Sequence, residues 1–243
     1  MNKFAFIIHT HTDCSDVWPM FFGQLEKYFP ENKKYILVNK LIPGIKNENQ
    51  FIYKEDLPYV ERFKLVLKNV AEKIVLFTHE DMILYDEPDI EKINHFCNLI
   101  ENSDAEFIKL LKCKAPNQEF KISKISPNLA NCSKEFSFTV QPTLCNKNSL
   151  LNVFLKACSI GKLNIWDFER EINNIVTDKL SEKCFMSCHL DEEQRGMYHW
   201  NSKFYPHGNM IFKGKWTYNE YKKELDFLSE KYNISLKDRG FHG

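Results

Sequence analysis

The chain has 243 residues, 43% of them hydrophobic and 14% aromatic, which is apolar material for one large core and argues against wholesale disorder. Lys plus Arg and Asp plus Glu number 33 each, so the formal net charge is zero, which excludes a generally basic nucleic-acid binder. Eight cysteines are scattered without a CxxC pair and read as reduced thiols of a cytoplasmic protein rather than as a disulfide framework. Cys184, Cys188 and His189 are metal-ligand types, but a structural zinc needs a fourth ligand that the spacing does not supply.

In chain order, residues 4–8 predict a first strand, an apolar run too short to span a membrane and without a cleavage site. A polar turn follows, then a helix expected over 17–29, with Asp16 as its cap and Pro19 in its first turn. Residues 34–39 read as a second strand and 40–56 as an irregular surface excursion. The segment 59–70 is amphipathic through Phe63, Val66, Leu67 and Val70 and leads into an apolar strand over 74–78. Strand, helix, strand, helix, strand is the order of a parallel α/β sheet. A helix over 89–100 and a strand over 106–111 continue it. Short strands and turns are expected over 120–140, and helices over 148–158, 166–175 and 217–232. No linker divides the chain, so one domain over 1–243 is expected, with a mixed, partly antiparallel C-terminal half.

The strand at 74–78 ends abruptly in His79-Glu80-Asp81. A strand buried on both faces reads as a continuous apolar run, and acids at its end cost desolvation unless they are paired, hydrated or bound to a metal. Ligands of open α/β sheets sit outside the carboxyl ends of the strands, where these residues fall. A solvated turn is the competing reading.

Two constellations bear on chemistry. His9-x-His11 followed by Ser15-Asp16 resembles the HxHxxxSDG opening of PHP-type metal-dependent phosphoesterases, and two histidines at i and i+2 of a strand end point the same way. Val17 replaces the glycine, however, and the next histidine is His79, whereas those enzymes spread further ligands along a barrel. The second constellation runs through most of the chain. It comprises Asp16-Val17-Trp18-Pro19-Met20-Phe21-Phe22 with Lys27-Tyr28-Phe29-Pro30, then Tyr59-Val60-Glu61-Arg62-Phe63 and the strand ending in Glu80-Asp81. Gln141-Pro142-Thr143-Leu144-Cys145-Asn146-Lys147, Trp166-Asp167-Phe168-Glu169 and Lys213-Gly214-Lys215-Trp216 follow. In this order the segments resemble a family of bacterial and viral nucleotide-sugar glycosyltransferases of GT-A fold.

That resemblance implies a GT-A-like (Rossmann-like) α/β fold with a mainly parallel central sheet, a nucleotide-binding half over about 1–112 and an acceptor half over about 113–243. It implies a nucleoside diphosphate sugar donor, a hydroxyl of a glycan or related acceptor, and a divalent ion, Mn2+ or Mg2+, of the kind that oxygen ligands hold. Asp81 is the first metal ligand expected, with Glu80 a second and His207 a late histidine ligand. His79 stands where the family's first acid is usual, which leaves a ribose contact, a weaker metal site or a non-catalytic relative open. Thr10, His11, Thr12, Asp13 and Arg62 are expected at the donor; turn satisfaction and an ordinary surface arginine are the equal alternatives. A base must take the acceptor's proton, and Glu169 is favoured over Asp167. The rival enzyme is a phosphoesterase using His9 and His11.

Overall fold

Period-two alternation sorts the strand residues into two cores. In β1 (Ala5–His9), Phe6 and Ile8 enter one and Ala5 and Ile7 the other. β2 (Lys34–Val38) and β4 (Ile74–His79) flank β1 in parallel, and β3 (Gln50–Ile52) adds to the outer edge of β2. This computed structural model describes residues 4–112, 121–133, 137–175, 178–189, 191–195 and 199–242. β5 (Met82–Leu84) leaves the sheet, while β6 (Phe107–Lys109), β7 (Leu129–Asn131), β8 (Thr143–Asn146) and β9 (Cys184–Ser187) extend it. The eight-stranded order is β3-β2-β1-β4-β8-β6-β9-β7. β8 runs antiparallel to β4 and β6, β9 parallel to β6, and β7 antiparallel to β9. The expected mixed, mainly parallel α/β sheet is what forms.

Helices α1 (Trp18–Tyr28), α2 (Tyr59–Leu67), α3 (Ile90–Asn102), α4 (Lys147–Ile160), α5 (Ile165–Ile175), α6 (Asp178–Ser181), α7 (Tyr218–Tyr232) and α8 (Leu236–Arg239) surround the sheet. Apolar residues of α1, α3 and α7 share the core that receives Phe6, Leu76 and Ile108; those of α2, α4 and α5 share the core of Ile7, Phe77 and Phe107. Short ribbons complete the C-terminal half: β10 (Gln194–Arg195) with β11 (His199–Trp200), β12 (His207–Asn209) with β5, and β13 (Ile211–Phe212) with β14 (Lys215–Trp216).

Several expectations are corrected. Asp16 does not cap α1, whose N-cap is Val17 without a side-chain bond; the carboxylate pairs instead with Arg239, Nε to Oδ2 2.9 Å. The supposed excursion over 40–56 contains β3, and Gln50 pins its loop by bonding Ile42 and Ile45 main chain. β5, β8 and β9 were not expected as strands. Beyond α8 the chain returns to the fold, with Phe241 bridged to Trp216. Of the short strands expected over 120–140, β7 is present, and 120 and 134–136 lie outside the described residues. Cys184 and Cys188 are buried free thiols, and no group of three His, Cys, Asp or Glu poised for a metal exists among the described residues. Cys113 lies outside them. No helix among the described residues is long and apolar enough to cross a membrane.

Candidate functional site

β1 and β4 pair so that His9 stands opposite His79, and both strands leave the sheet at the same carboxyl edge. Beyond His79 the chain turns through Glu80-Asp81 into β5, and the Met210 amide donates to the Asp81 carbonyl at 2.9 Å. A cavity of about 590 Å³ opens at this turn, with Glu80, Asp81, Glu169, Asn209, Lys213 and Arg239 among its walls. It lies in the crevice where open α/β sheets take their ligands.

Glu80 is 9% exposed, and Asp81 Oδ1 is closed to solvent with no hydrogen-bond partner among the described residues. Burial raises both carboxyl groups above the ordinary range, and the charge of Glu80 raises Asp81 further. The Cys14 thiol hydrogen-bonds Glu80, and burial pushes that thiol up in turn. Adjacent acids with an orphaned oxygen fit a hard divalent ion, which accepts one or two carboxylates and fills its shell with phosphate oxygens and water.

Helix α5 supplies the third acid. Ile165, Trp166, Glu169 and Asn173 follow helical spacing along one stripe, and all four line the cavity. Phe168 and Ile172 turn into the core. Glu169 Oε1 accepts from the Val140 amide at 3.3 Å, and burial raises its carboxyl. Asp167 is not brought to the cavity: the helical turn directs it outward, where it accepts from Arg170 at 2.7 Å and Asn164 at 2.6 Å. Trp166 is 62% exposed at the rim, so it is no core residue.

His79 faces the cavity with Nε2 2.8 Å from the Tyr59 hydroxyl, and burial pushes its pKa down to about 4, leaving it neutral at pH 7. His9 stacks on Tyr53, with ring centroids 5.3 Å apart, and meets Arg62 Nη1 at 3.2 Å. Arg62 does not bridge the acids. It lies over the Tyr53 ring at 4.1 Å, donates to the Leu57 carbonyl at 2.9 Å, and lines a second cavity of about 420 Å³. His9 and Ile165 line both cavities, so the two adjoin there.

The turn after β1 is occupied with its own structure. Thr10 is buried and its Oγ1 accepts from Trp18 Nε1 at 2.8 Å, tying the turn to α1. Thr12 Oγ1 accepts from Asn39 Nδ2 at 2.9 Å, and His11 sits 3.4 Å from Asp13 and 3.5 Å from Glu55. Neither cavity is walled by Thr10, His11, Thr12 or Asp13. His207 is also absent from the walls. The β5–β12 register sets it opposite Leu84, three residues beyond Asp81 and deep in the ribbon. There its Nδ1 is 2.6 Å from the Tyr205 carbonyl and its ring 4.9 Å from that of His199. The phosphoesterase arrangement is overturned as well: His9 and His11 are held by different partners, a guanidinium lies against His9, and the sheet is open rather than a barrel.

Sequence reading missed Asn173, Asn209, Lys213 and Arg239 as cavity residues. Gly214, between Ile211-Phe212 and Lys215-Trp216, was a legible turn signal. Arg239 had none, since its partner Asp16 is 223 residues away.

Neither a protein family nor a curated protein sequence matches the chain. Solved structures resemble it in fold. Staphylococcus aureus TarS 1-349 is 12% identical with TM-score 0.46, over 98% of this chain and 68% of that one. The glycosyltransferase GlyE of Streptococcus pneumoniae TIGR4 is 13% identical with TM-score 0.48, over 79% and 46%. A cytidylyltransferase of Leptospira borgpetersenii serovar Hardjo-bovis (strain JB197) is 12% identical with TM-score 0.47, over the whole of both chains. The chain therefore spans about two thirds of the first and under half of the second. What this site does is decided by its own side chains.

Proposed function

We propose that the chain transfers a sugar from a nucleoside diphosphate donor to a hydroxyl of a glycan or related acceptor, with a divalent ion, Mn2+ or Mg2+, at Asp81 and Glu80. The observation that carries this reading is one open cavity at the carboxyl edge of the sheet, where Asp81, with an orphaned buried oxygen, stands beside Glu80 and shares the walls with Glu169 of a different element. Such an ion, when bound, would stabilise the charge that grows on the departing diphosphate.

The remaining roles follow from chemistry at named atoms. Glu169, raised by burial, accepts a proton more readily than an ordinary carboxylate and removes it from the acceptor hydroxyl. Its bond from the Val140 amide occupies Oε1 and leaves Oε2 for that task. Trp166 offers an exposed aromatic face at the rim, suited to the apolar side of a sugar ring. Neutral His79, held by Tyr59, hydrogen-bonds a ligand without adding charge. Arg62, in the adjoining cavity, is the donor contact on the nucleoside side.

The test is donor hydrolysis and transfer over a panel of nucleotide sugars, with and without Mn2+, in wild type, Asp81→Asn and Glu169→Gln. Mn2+-dependent turnover that collapses in both variants is expected. Turnover untouched by both removes the acids from the mechanism.

A further inference from the structure

The β13–β14 hairpin holds a cation that the roles above leave unused. Its loop is two residues long, Lys213-Gly214, with φ of 49° and 77°. A two-residue hairpin of this kind needs positive φ at both central positions, where Asn-Gly and Asp-Gly are the preferred pairs. Gly214 meets that need freely; Lys213 does not, since a left-handed backbone is unfavourable for a side chain with a Cβ. Strained residues of this kind cluster where a side chain must be presented to a ligand.

The hairpin is rigidly aimed. The Met210 amide that opens it bonds the Asp81 carbonyl at 2.9 Å, so the ribbon grows directly from the acidic turn. Trp216, fully buried, anchors its far strand, and Arg239 Nη1 donates to the Gly214 carbonyl at 3.2 Å. Arg239 is itself engaged by the Asp16 carboxylate and the Asp13 carbonyl. Lys213 lines the cavity with Glu80 and Asp81, and its ammonium lies 5.4 Å from the Phe212 ring centroid. Among the described residues no carboxylate pairs with it.

We propose that Lys213 is a binding residue for the donor's diphosphate, presented by a strained hairpin that Arg239 holds in position. This rests on the transferase reading and adds a residue to it. An ammonium on a short, clamped turn supplies a charge-assisted hydrogen bond to a phosphate oxygen in the cavity that it shares with Glu80 and Asp81.

The test is calorimetric titration of the full chain with inorganic pyrophosphate and with UDP, CDP, GDP and ADP, at low and high salt, with and without Mn2+. Lys213→Gln is expected to weaken pyrophosphate and the preferred diphosphate about 10- to 100-fold and to flatten the salt dependence. Lys213→Arg retains most of the affinity, and Lys215→Gln on the same hairpin leaves it unchanged. Lys213→Asn suits the turn, so it raises thermal stability while losing the anion, a combination that a purely structural lysine would not give.

Either of two results overturns the proposal: unchanged pyrophosphate affinity in Lys213→Gln, or equal weakening in Lys215→Gln. In either case, Mn2+-dependent turnover that still requires Asp81 leaves the transferase reading standing. A wild-type chain that binds none of the diphosphates removes both.

Discussion

Asp81 and Glu80 are held at the sheet edge against their own electrostatics, because burial favours the protonated carboxyl of both and the charge of Glu80 disfavours ionisation of Asp81. A carboxyl whose folded pKa lies above its unfolded value near 4 contributes stability below that value and loses it as pH rises through the folded pKa. Asp81→Asn is therefore expected to stabilise the metal-free chain at pH 8 by about 1 kcal/mol, roughly 2–4 °C in Tm, and by much less at pH 5, where the wild-type acid is already protonated. Melting curves of the two chains at both pH values decide it, and a gain that is largest at pH 5 would contradict the assignment. Glu169 and Asp167 provide a paired control. Glu169→Gln should reduce turnover by about 10²–10⁴-fold, whereas Asp167→Asn, outside the cavity, should change it little.

At the scale of elements, α5 is aligned by rings together with polar contacts to residues 138–140, where Asn173 accepts from the Phe138 amide at 3.0 Å and donates to its carbonyl at 3.1 Å. Phe168 stacks on Phe154 with centroids 4.8 Å apart, and Phe154 stacks on Phe63 at 4.5 Å, so α2, α4 and α5 are joined through one aromatic column. Glu169 follows Phe168 directly, so the column also sets the direction of the base. Phe154→Ala should cost about 3–5 kcal/mol by denaturant unfolding. It should also lower turnover in the surviving folded fraction, with KM for the donor less affected than kcat. Full turnover in a folded Phe154→Ala chain would mean that the bonds of Glu169 and Asn173 to residues 138–140 suffice to hold the base.

Across the whole molecule, the C-terminal helices close the fold onto its first helix. Gln24 of α1 donates to the Leu84 carbonyl at 2.8 Å and accepts from Tyr232 and Lys231 of α7, each at 2.9 Å, which couples α1, β5 and α7 in one network. A Cβ on Gly23 would collide with the Tyr232 ring. Gly23→Ala is therefore expected to destabilise the chain by about 1–3 kcal/mol through overpacking, despite alanine's better helix propensity. An unchanged or higher Tm would show that Tyr232 swings aside without loss.

Local pattern was enough for the parallel core. The apolar runs at β1, β2 and β4, the amphipathic face of α2 and the break at His79-Glu80-Asp81 are all short-range signals, and burial on both faces of the sheet makes them readable. The strip of α5 that carries Glu169 was legible in part, since the Trp166-Asp167-Phe168-Glu169 motif named the acid but not the side on which Asp167 would fall. Strands of three or four residues such as β3, β8 and β9 escaped, because so short a run owes its conformation to its neighbours in the sheet rather than to its own periodicity. Long-range pairing lay beyond sequence altogether: Arg239 with Asp16, Thr10 with Trp18, and the depth of His207 in its ribbon. Those positions depend on where separate segments meet once two cores have formed, so only the packed chain could separate a cavity wall from a residue consumed in holding the wall in place.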